Sequence, residues 1–345
     1  MTIEHAIEAA AQEAEIIGVS PALLQAVDLA MRFAGSPMSI LLIGATGTGK
    51  ELFAQAIHRW SRRPGRLLDI NCGALPRDLL EGELFGHARG AYTGAVVDRP
   101  GLLAAADRGT LFLDELTSLA LESQAKLLRV LETGLVRRLG ESTDRPVEFR
   151  LVAAAQPELL ARVHAGHFRR DLYYRVTGVV IELPPLAERG EDIGPLAHHF
   201  AWRFQRALHR DALAVLERHS WRGNVRELRD VVQRAAWIST GCALDRAIIE
   251  EALSLGSAAS AREPAGADSE TRSHRRAAYW LEAFCEACGW DPGIAAVRLG
   301  VSRATLFRLL RANGLSLRQN KATGARNRPA MDRLPVPAEV AAGAT

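Results

Sequence analysis

The residues best suited to do chemistry in this chain lie in two short stretches. The first, GATGTGKE at residues 44–51, follows the apolar run SILLIGA and opens the amphipathic stretch ELFAQAIHRW. Gly44, Ala45, Thr46, Gly47, Thr48 and Gly49 form a loop whose glycines let backbone N–H groups turn inward on phosphates. The helix that follows adds the positive end of its dipole, and Lys50 brings a charge to the β- and γ-phosphates, so ATP is the expected ligand. Glu51 stands where Ser or Thr usually contacts magnesium, and the neighbouring Thr48 does not obviously substitute for it. A glycine-rich loop can match such a pattern by chance, so a second group is needed. TLFLDEL, residues 110–116, is a hydrophobic strand pattern ending in Asp114 and Glu115. Asp114 can hold Mg²⁺ through its water shell, and Glu115 can orient or deprotonate an attacking water. The alternative, two solvated acids at a strand end, is weakened by the phosphate loop upstream.

ATP hydrolysis also needs positive charge on the γ-phosphate as the transition state forms, often from an arginine of a neighbouring subunit. HFRRDLYYRV supplies Arg169, Arg170 and Arg175, and WRGNVRELRD supplies Arg226. By spacing alone these are equally ordinary surface arginines.

Those groups must be positioned by a scaffold, and 345 residues with 48% hydrophobic content suffice for a sizeable core and two or three domains. Five apolar runs, SILLIGA, LLDINC, TLFLDEL, FRLVAAA and GVVIEL, alternate with amphipathic helical stretches, which predicts an α/β fold around a parallel five-stranded sheet over residues 1–188. LPPLAERGEDI breaks the alternation and opens a strand-free helical subdomain, 189–255. GSAASAREPAGADSETRS has almost nothing to bury and reads as a linker, 256–276. Helical patterning returns over 277–317, and the tail, 318–345, has the composition of a disordered segment.

A net charge of +3 is too small to establish a polyanionic partner by itself. Cys72, Cys242, Cys285 and Cys288 are too scattered for a disulfide framework and fit a reducing compartment; the CxxC formed by the last two reads as paired core residues rather than a zinc site. The N-terminal MTIEHAIEAAAQEAEIIG is acidic and alanine-rich, unlike a signal peptide or membrane span, so the expected location is cytoplasmic.

One stretch fits neither period. GHARGAYTGAVVDRPG, residues 86–101, holds the aromatic Tyr92 among small residues. Taken in order, GATGTGKE, INCGAL, ELFGHARGAYTGA, GTLFLDEL, QAKLLRVLE, FRRDLYYRV, LPPLAERGEDI and WRGNVREL resemble the AAA+ domain of bacterial sigma-54-dependent transcriptional activators, from about Ile17 to Leu255. The resemblance implies a P-loop AAA+ sheet with a helical lid, and a hexameric ring with ATP sites between subunits. Lys50 is then the phosphate-loop lysine, Asp114 and Glu115 the Mg²⁺ and water-activating pair, and Asn71 the partner that restrains Glu115. Arg169 and Arg175 match the trans arginine fingers, Arg226 matches the lid's sensor arginine, and Glu51 matches the family's usual residue after the lysine. The loop Gly90, Ala91, Tyr92, Thr93, Gly94 and Ala95 would press on the sigma-54 factor of RNA polymerase, with Tyr92 as a compact apolar anchor. Phe is usual at that position. Ala155 and Gln156 replace the usual Thr and Asn, Thr117 a usual glycine, and Arg222 a usual proline, which bears on coupling more than on nucleotide binding.

The C-terminal GIAAVRLGVSRATLFRLLRANGL resembles the Fis-type helix-turn-helix of the same proteins. Ser302 is the expected N-cap of its second helix, Leu306 and Leu309 or Leu310 face inward, and Ser302, Arg303, Thr305 and Arg308 face a DNA major groove. Trp280, Phe284, Trp290 and Phe307 read as a small core and dimer seam. Double-stranded enhancer DNA is the implied partner. Fewer than twenty residues precede the AAA+ match, so the expectation is control by a regulator in trans, by a paralogous activator subunit in a mixed ring, or by expression level.

Overall fold

The computed structural model describes residues 3–91 and 97–260, and beyond them Asp291, Pro292, Phe307 and Leu310. The chain divides into two units, Met1–Gly266 and Ala267–Thr345. In the second, Leu310 is buried, as helical spacing requires, and Phe307 is half exposed. The remaining candidates there, Ser302, Arg303, Thr305 and Arg308, lie outside the described residues.

All five apolar runs form strands: β1 (Ile40–Ile43), β2 (Leu67–Asn71), β3 (Thr110–Asp114), β4 (Arg150–Ala155) and β5 (Val179–Glu182). They make one sheet in the order β2-β3-β4-β1-β5, with every pairing parallel. The runs are continuously apolar because both faces of the sheet are covered. One face carries Ile40, Leu42, Phe112, Val152, Ala154 and Ile181 against α2 (Pro21–Ala34) and α3 (Lys50–Ser61), with α1 (Ile3–Glu13) packed on α2. The other carries Leu41, Leu111, Leu113, Leu151 and Ala153 against α4 (Arg77–Phe85), α5 (Leu121–Thr133), α6 (Leu159–His164) and α7 (Arg170–Val176). Alternate residues of each strand thus feed two cores. The register sets Ile43 beside Ala155 and Glu182, and Asn71 beside Asp114, so the candidate residues collect at the carboxyl edge of the sheet, where open α/β folds bind ligands.

A third core forms the lid. Leu196, Phe200, Trp221, Leu228, Val232 and Ile249 join α8 (Ile193–Arg203), α9 (Arg210–Arg218), α10 (Asn224–Ile238) and α11 (Arg246–Ser260). Leu186 already belongs to this core, so lid packing begins ahead of residue 189. Two features depart from the sequence reading. The region is not strand-free, because Ala207–Leu208 pairs in parallel with Ala243–Leu244 and ties the segments that follow α8 and α10. Helix α11 also runs past 255 into the expected linker. Alanine and serine there lack any helix-breaking proline before Pro264, and the Arg234 guanidinium fills the space a side chain at Gly256 would take.

The Tyr92 loop has a defined root. Gly86–His87 pairs antiparallel with Arg99–Pro100, and Arg89 N donates to Asp98 Oδ1 at 2.7 Å. Gly86 adopts φ +78°, and a side chain there would strike the backbone of Arg99–Gly101, so only glycine lets the two arms close. Tyr92, Thr93, Gly94 and Ala95 lie outside the described residues; Gly90 and Ala91 are at the loop's described edge. Among the described residues, no helix is long and apolar enough to cross a membrane.

Cys72, directly after β2, is buried, and burial, with Asp114 and Glu115 beside it, pushes its thiol up to about 12. A thiol held neutral does not alkylate. Iodoacetamide in mildly alkaline buffer is therefore expected to modify the exposed Cys242 in the native protein and Cys72 only after denaturation, as read by peptide mass spectrometry. Native labelling of Cys72 would contradict its placement.

Candidate functional site

The phosphate loop joins the end of β1 to the start of α3. Gly47 and Gly49 take φ of +82° and +108°, values L side chains rarely adopt, and these turns reverse the chain within the loop. Its carbonyls can be followed one by one. Gly44 O and Ala45 O accept from Lys50 Nζ at 2.7 and 3.0 Å, and Ala45 O also accepts from Thr48 Oγ1 at 2.9 Å. Thr46 O accepts from Asn224 Nδ2 at 3.0 Å, Gly47 O from Val225 N at 3.0 Å, and Thr48 O from Arg189 Nη2 at 2.9 Å. Carbonyls engaged by the lid turn the opposite edges of their peptides toward the loop interior. The Thr48 hydroxyl is buried and committed to Ala45, so it is not a substitute for the residue replaced by Glu51, which is itself exposed.

Burial lowers the Lys50 ammonium from its ordinary value; Asp114 and Glu115 oppose that, and Arg226 reinforces it. The three charged groups therefore act on one centre. Two of the three Lys50 donors hold the loop, which leaves one for a phosphate oxygen. Arg226 lies in the first turn of the lid helix, is exposed, and brings its Cβ against the site of Gly47.

The acidic pair is held differently at its two members. Asp114 Oδ1 accepts from Glu115 N at 2.8 Å, and Asn71 Nδ2 faces Asp114 Oδ2 at 3.5 Å. Asn71 Oδ1 accepts from Gly73 N at 2.8 Å. Asn71 thus reaches Asp114 in place of the contact with Glu115 that the resemblance implies. Register explains this: Asn71 and Asp114 are direct partners across β2 and β3, so their side chains share a face. Glu115, one residue on, sits at φ +52° and swings its carboxylate over Gly73, where a Cβ would collide with Oε2. A left-handed residue of this kind costs on the order of 1 kcal/mol, which the Ser118 N bond to Glu115 O helps to offset.

Arg169 forks onto Asp171 at 3.0 and 2.7 Å, and Arg175 Nη2 donates to Leu131 O at 2.5 Å. Among the described residues, their hydrogen-bond partners lie on α5 and α7, none of them in the phosphate loop. Ala155 is buried and Gln156 exposed at the end of β4; Arg222 is exposed, and Thr117 O accepts from Arg162 Nη1 at 3.3 Å. Sequence reasoning missed Asn224 and Arg189. Both were quoted inside motifs, yet their partners in the phosphate loop lie more than a hundred residues away, and only the fold brings them there.

Gly47 is where the lid packs directly on the phosphate loop, since a Cβ there would fall on the Gly223 carbonyl oxygen and crowd Arg226. Gly47→Ala is expected to weaken ADP binding by about tenfold or more, through loss of lid contact and strain at positive φ. Titration with a fluorescent ADP analogue checks this; wild-type affinity would show that the lid need not close on the loop.

Comparison with known proteins places this geometry. Residues 16–182 match the model of the Sigma-54 interaction domain, and 187–265 that of the AAA+ ATPase lid domain. The transcriptional regulatory protein GlrR of Escherichia coli is 45% identical over 246 residues, covering 69% of this chain and 55% of GlrR. The C4-dicarboxylate transport transcriptional regulatory protein DctD of Rhizobium meliloti is 38% identical over 324 residues, covering 91% of this chain and 68% of DctD. The chain spans about half the length of several such relatives. Among solved structures, NtrX from Brucella abortus in complex with ATP aligns with a TM-score of 0.63 at 29% identity, covering 87% of this chain and 69% of that one. RuvB of Thermotoga maritima, at 16% identity and a TM-score of 0.51, shares the fold. The chain belongs to the transcriptional regulators that carry a sigma-54 interaction domain joined to a AAA+ ATPase lid.

Proposed function

We propose that this protein is a sigma-54-dependent transcription activator that binds enhancer DNA and, as a hexameric ring in the cytoplasm, uses ATP hydrolysis to remodel sigma-54 RNA polymerase to the open complex. The observation that carries the reading is the path from the site to the loop. Glu115 lies over Gly73; α4 then runs from Arg77 to Phe85, about 13 Å at 1.5 Å per residue, straight into the Gly86–His87 root of the Tyr92 loop. A change at the acidic pair has a single rigid element through which to lift that loop.

In this reading Lys50 neutralises charge on the β- and γ-phosphates, Arg226 approaches from the lid, and Glu115 accepts the proton of the attacking water. Asp114 retains acceptor capacity and would hold Mg²⁺ through its water shell. Bound there, Mg²⁺ would offset phosphate charge. Arg169 and Arg175 serve the site of a neighbouring subunit, which accounts for their engagement away from the phosphate loop. Gly90 to Ala95, around Tyr92, contact sigma-54. Ser302, Arg303, Thr305 and Arg308 contact DNA from a dimeric Fis-type domain, and a trans-acting regulator or paralogous subunit supplies control.

A second reading rests on Ala155 and Gln156: the alanine methyl offers no hydrogen bond to a γ-phosphate, and Gln156 is exposed. In that reading hydrolysis is impaired, and the chain acts as a DNA-binding regulator within mixed rings. An unrelated client of the AAA+ motor is a third outcome of the same test.

Open-complex formation at a sigma-54 promoter, with purified protein, polymerase and ATP, separates these. Wild type is expected to open the promoter, and Tyr92→Ala and Lys50→Ala to abolish opening, Tyr92→Ala while retaining ATPase activity. Opening that survives Lys50→Ala would exclude ATP-driven remodelling, and a wild type lacking ATPase activity would favour the regulator reading.

A further inference from the structure

Arg189 and Asp192 lie in the short turns between β5 and α8, and the proposed activity assigns them nothing. Both are withdrawn from water: Arg189 is 3% exposed and Asp192 0%. Arg189 Nη2 donates to Thr48 O at 2.9 Å, while its Nη1 faces Asp192 Oδ2 at 3.6 Å. Asp192 in turn accepts from Val19 N and Ser20 N through Oδ1, at 2.6 and 2.8 Å, and from Ser20 Oγ through Oδ2 at 2.8 Å. Ser20 is the N-cap of α2. Five residues, Thr48, Arg189, Asp192, Val19 and Ser20, thereby join three distant segments: the phosphate loop, the hinge to the lid, and the segment ahead of α2.

Burial pushes the Arg189 guanidinium down from its ordinary value, and Asp192 opposes that shift. A buried pair of this kind is poor value as a stabiliser, because apolar residues of similar volume hold elements together as well or better. What charges with fixed hydrogen bonds add is direction. Removing either one leaves the other buried and uncompensated, so the connection is whole or lost.

The direction matters because of peptide geometry. In a trans peptide the C=O of one residue and the N–H of the next point oppositely. Asn224 on Thr46 O therefore orients the Gly47 N–H, Val225 on Gly47 O orients the Thr48 N–H, and Arg189 on Thr48 O orients the Gly49 N–H. The first two donors come from the lid helix; the third comes from the hinge and is braced from the N-terminal side.

We propose that Arg189 is a positioning residue, aligned by Asp192 and Ser20, that aims the Gly49 N–H at the phosphates of the bound nucleotide. Nucleotide affinity is then set by the hinge and the segment ahead of α2 as well as by the phosphate loop. The inference rests on the ATP-site reading above and deepens it.

The test is equilibrium binding of a fluorescent ADP analogue to the full chain, with steady-state ATPase and thermal melting in parallel. Arg189→Met is expected to raise the ADP Kd and the ATP KM together by about tenfold or more while kcat stays within about threefold, the pattern of lost binding rather than lost chemistry. Arg189→Lys, which restores a single cationic donor, recovers part of that affinity. Ser20→Ala leaves Arg189 and Asp192 in place and removes one brace; it keeps a folded chain and raises the ADP Kd by about threefold. Wild-type ADP affinity in Ser20→Ala and Arg189→Met, with only a lowered melting temperature, would overturn the proposal, as would a fall in kcat at unchanged KM. Absence of ADP binding by the wild type would instead overturn the ATP-site reading, and this inference with it.

Discussion

A loop can present backbone N–H groups to a phosphate only if its carbonyls are satisfied on the other side, and residues 44–50 depend on that constraint. A loop carbonyl buried without a partner would cost about 1–3 kcal/mol. Here the near carbonyls are held by Lys50 and Thr48 from within, and the far ones by Asn224, Val225 and Arg189 from the lid and its hinge. The lid is therefore part of the phosphate site's hydrogen bonding, beyond any role as a cover. Asn224 makes the point locally. At φ +55° it occupies a left-handed position that asparagine tolerates, its Oδ1 accepts from Leu186 N at 2.7 Å, and its Nδ2 reaches Thr46. One side chain joins the hinge, the lid helix and the loop.

At the other end of the sheet's carboxyl edge, motion has a different route. The Tyr92 loop is rooted in a short antiparallel pair, and that root is bonded sideways to a second hairpin: Ala88 N donates to Leu139 O and Leu139 N to Gly86 O, both at 2.9 Å. That hairpin pairs Leu135–Arg137 with Asp144–Pro146; its Asp144 accepts from Arg137 across the pair and from Arg129 on α5, and the guanidinium of Arg137 holds its carboxyl below the usual range. The pairs are exposed and individually weak. Their effect is geometric, since two hairpins tied edge to edge rise or fall as one body. On the proposed reading, α4 pushes on a braced platform rather than on a lone loop.

Much of this was legible in the sequence because the signals were local. Each buried strand was a continuous apolar run, and all five took their places in one parallel sheet. The phosphate loop announced itself by glycine spacing, and the acidic pair by its place at a strand end. What the sequence did not reveal depended on long-range register. The face shared by Asn71 and Asp114 follows from which residues of β2 and β3 lie opposite, and a shift of one residue would have turned Asn71 the other way. The partners of Arg189 and Asn224 required the lid to be folded back on the loop. The parallel pair at Ala207 and Ala243 is too short to carry any periodicity, and the extension of α11 to Ser260 reflects alanine and serine that suit a helix as readily as a linker.

The substitutions at the end of β4 can be weighed with the same reasoning about backbone and side chain. Ala155 lacks the hydroxyl that the resemblance implies for its position, but its carbonyl accepts from Gly44 N at 3.2 Å, and its strand partner is Ile43. Both contacts belong to the main chain and survive any residue that fits. The sheet can therefore hold the start of the phosphate loop unchanged, while on the proposed reading β4 would have no hydroxyl to offer a terminal phosphate. On that reading the burden of registering the phosphate would shift to Lys50 and the charged groups that act on it, Glu115 and Arg226, and so toward the lid. On the proposed reading, such a chain keeps the architecture for binding nucleotide and exchanges the element through which hydrolysis would be sensed.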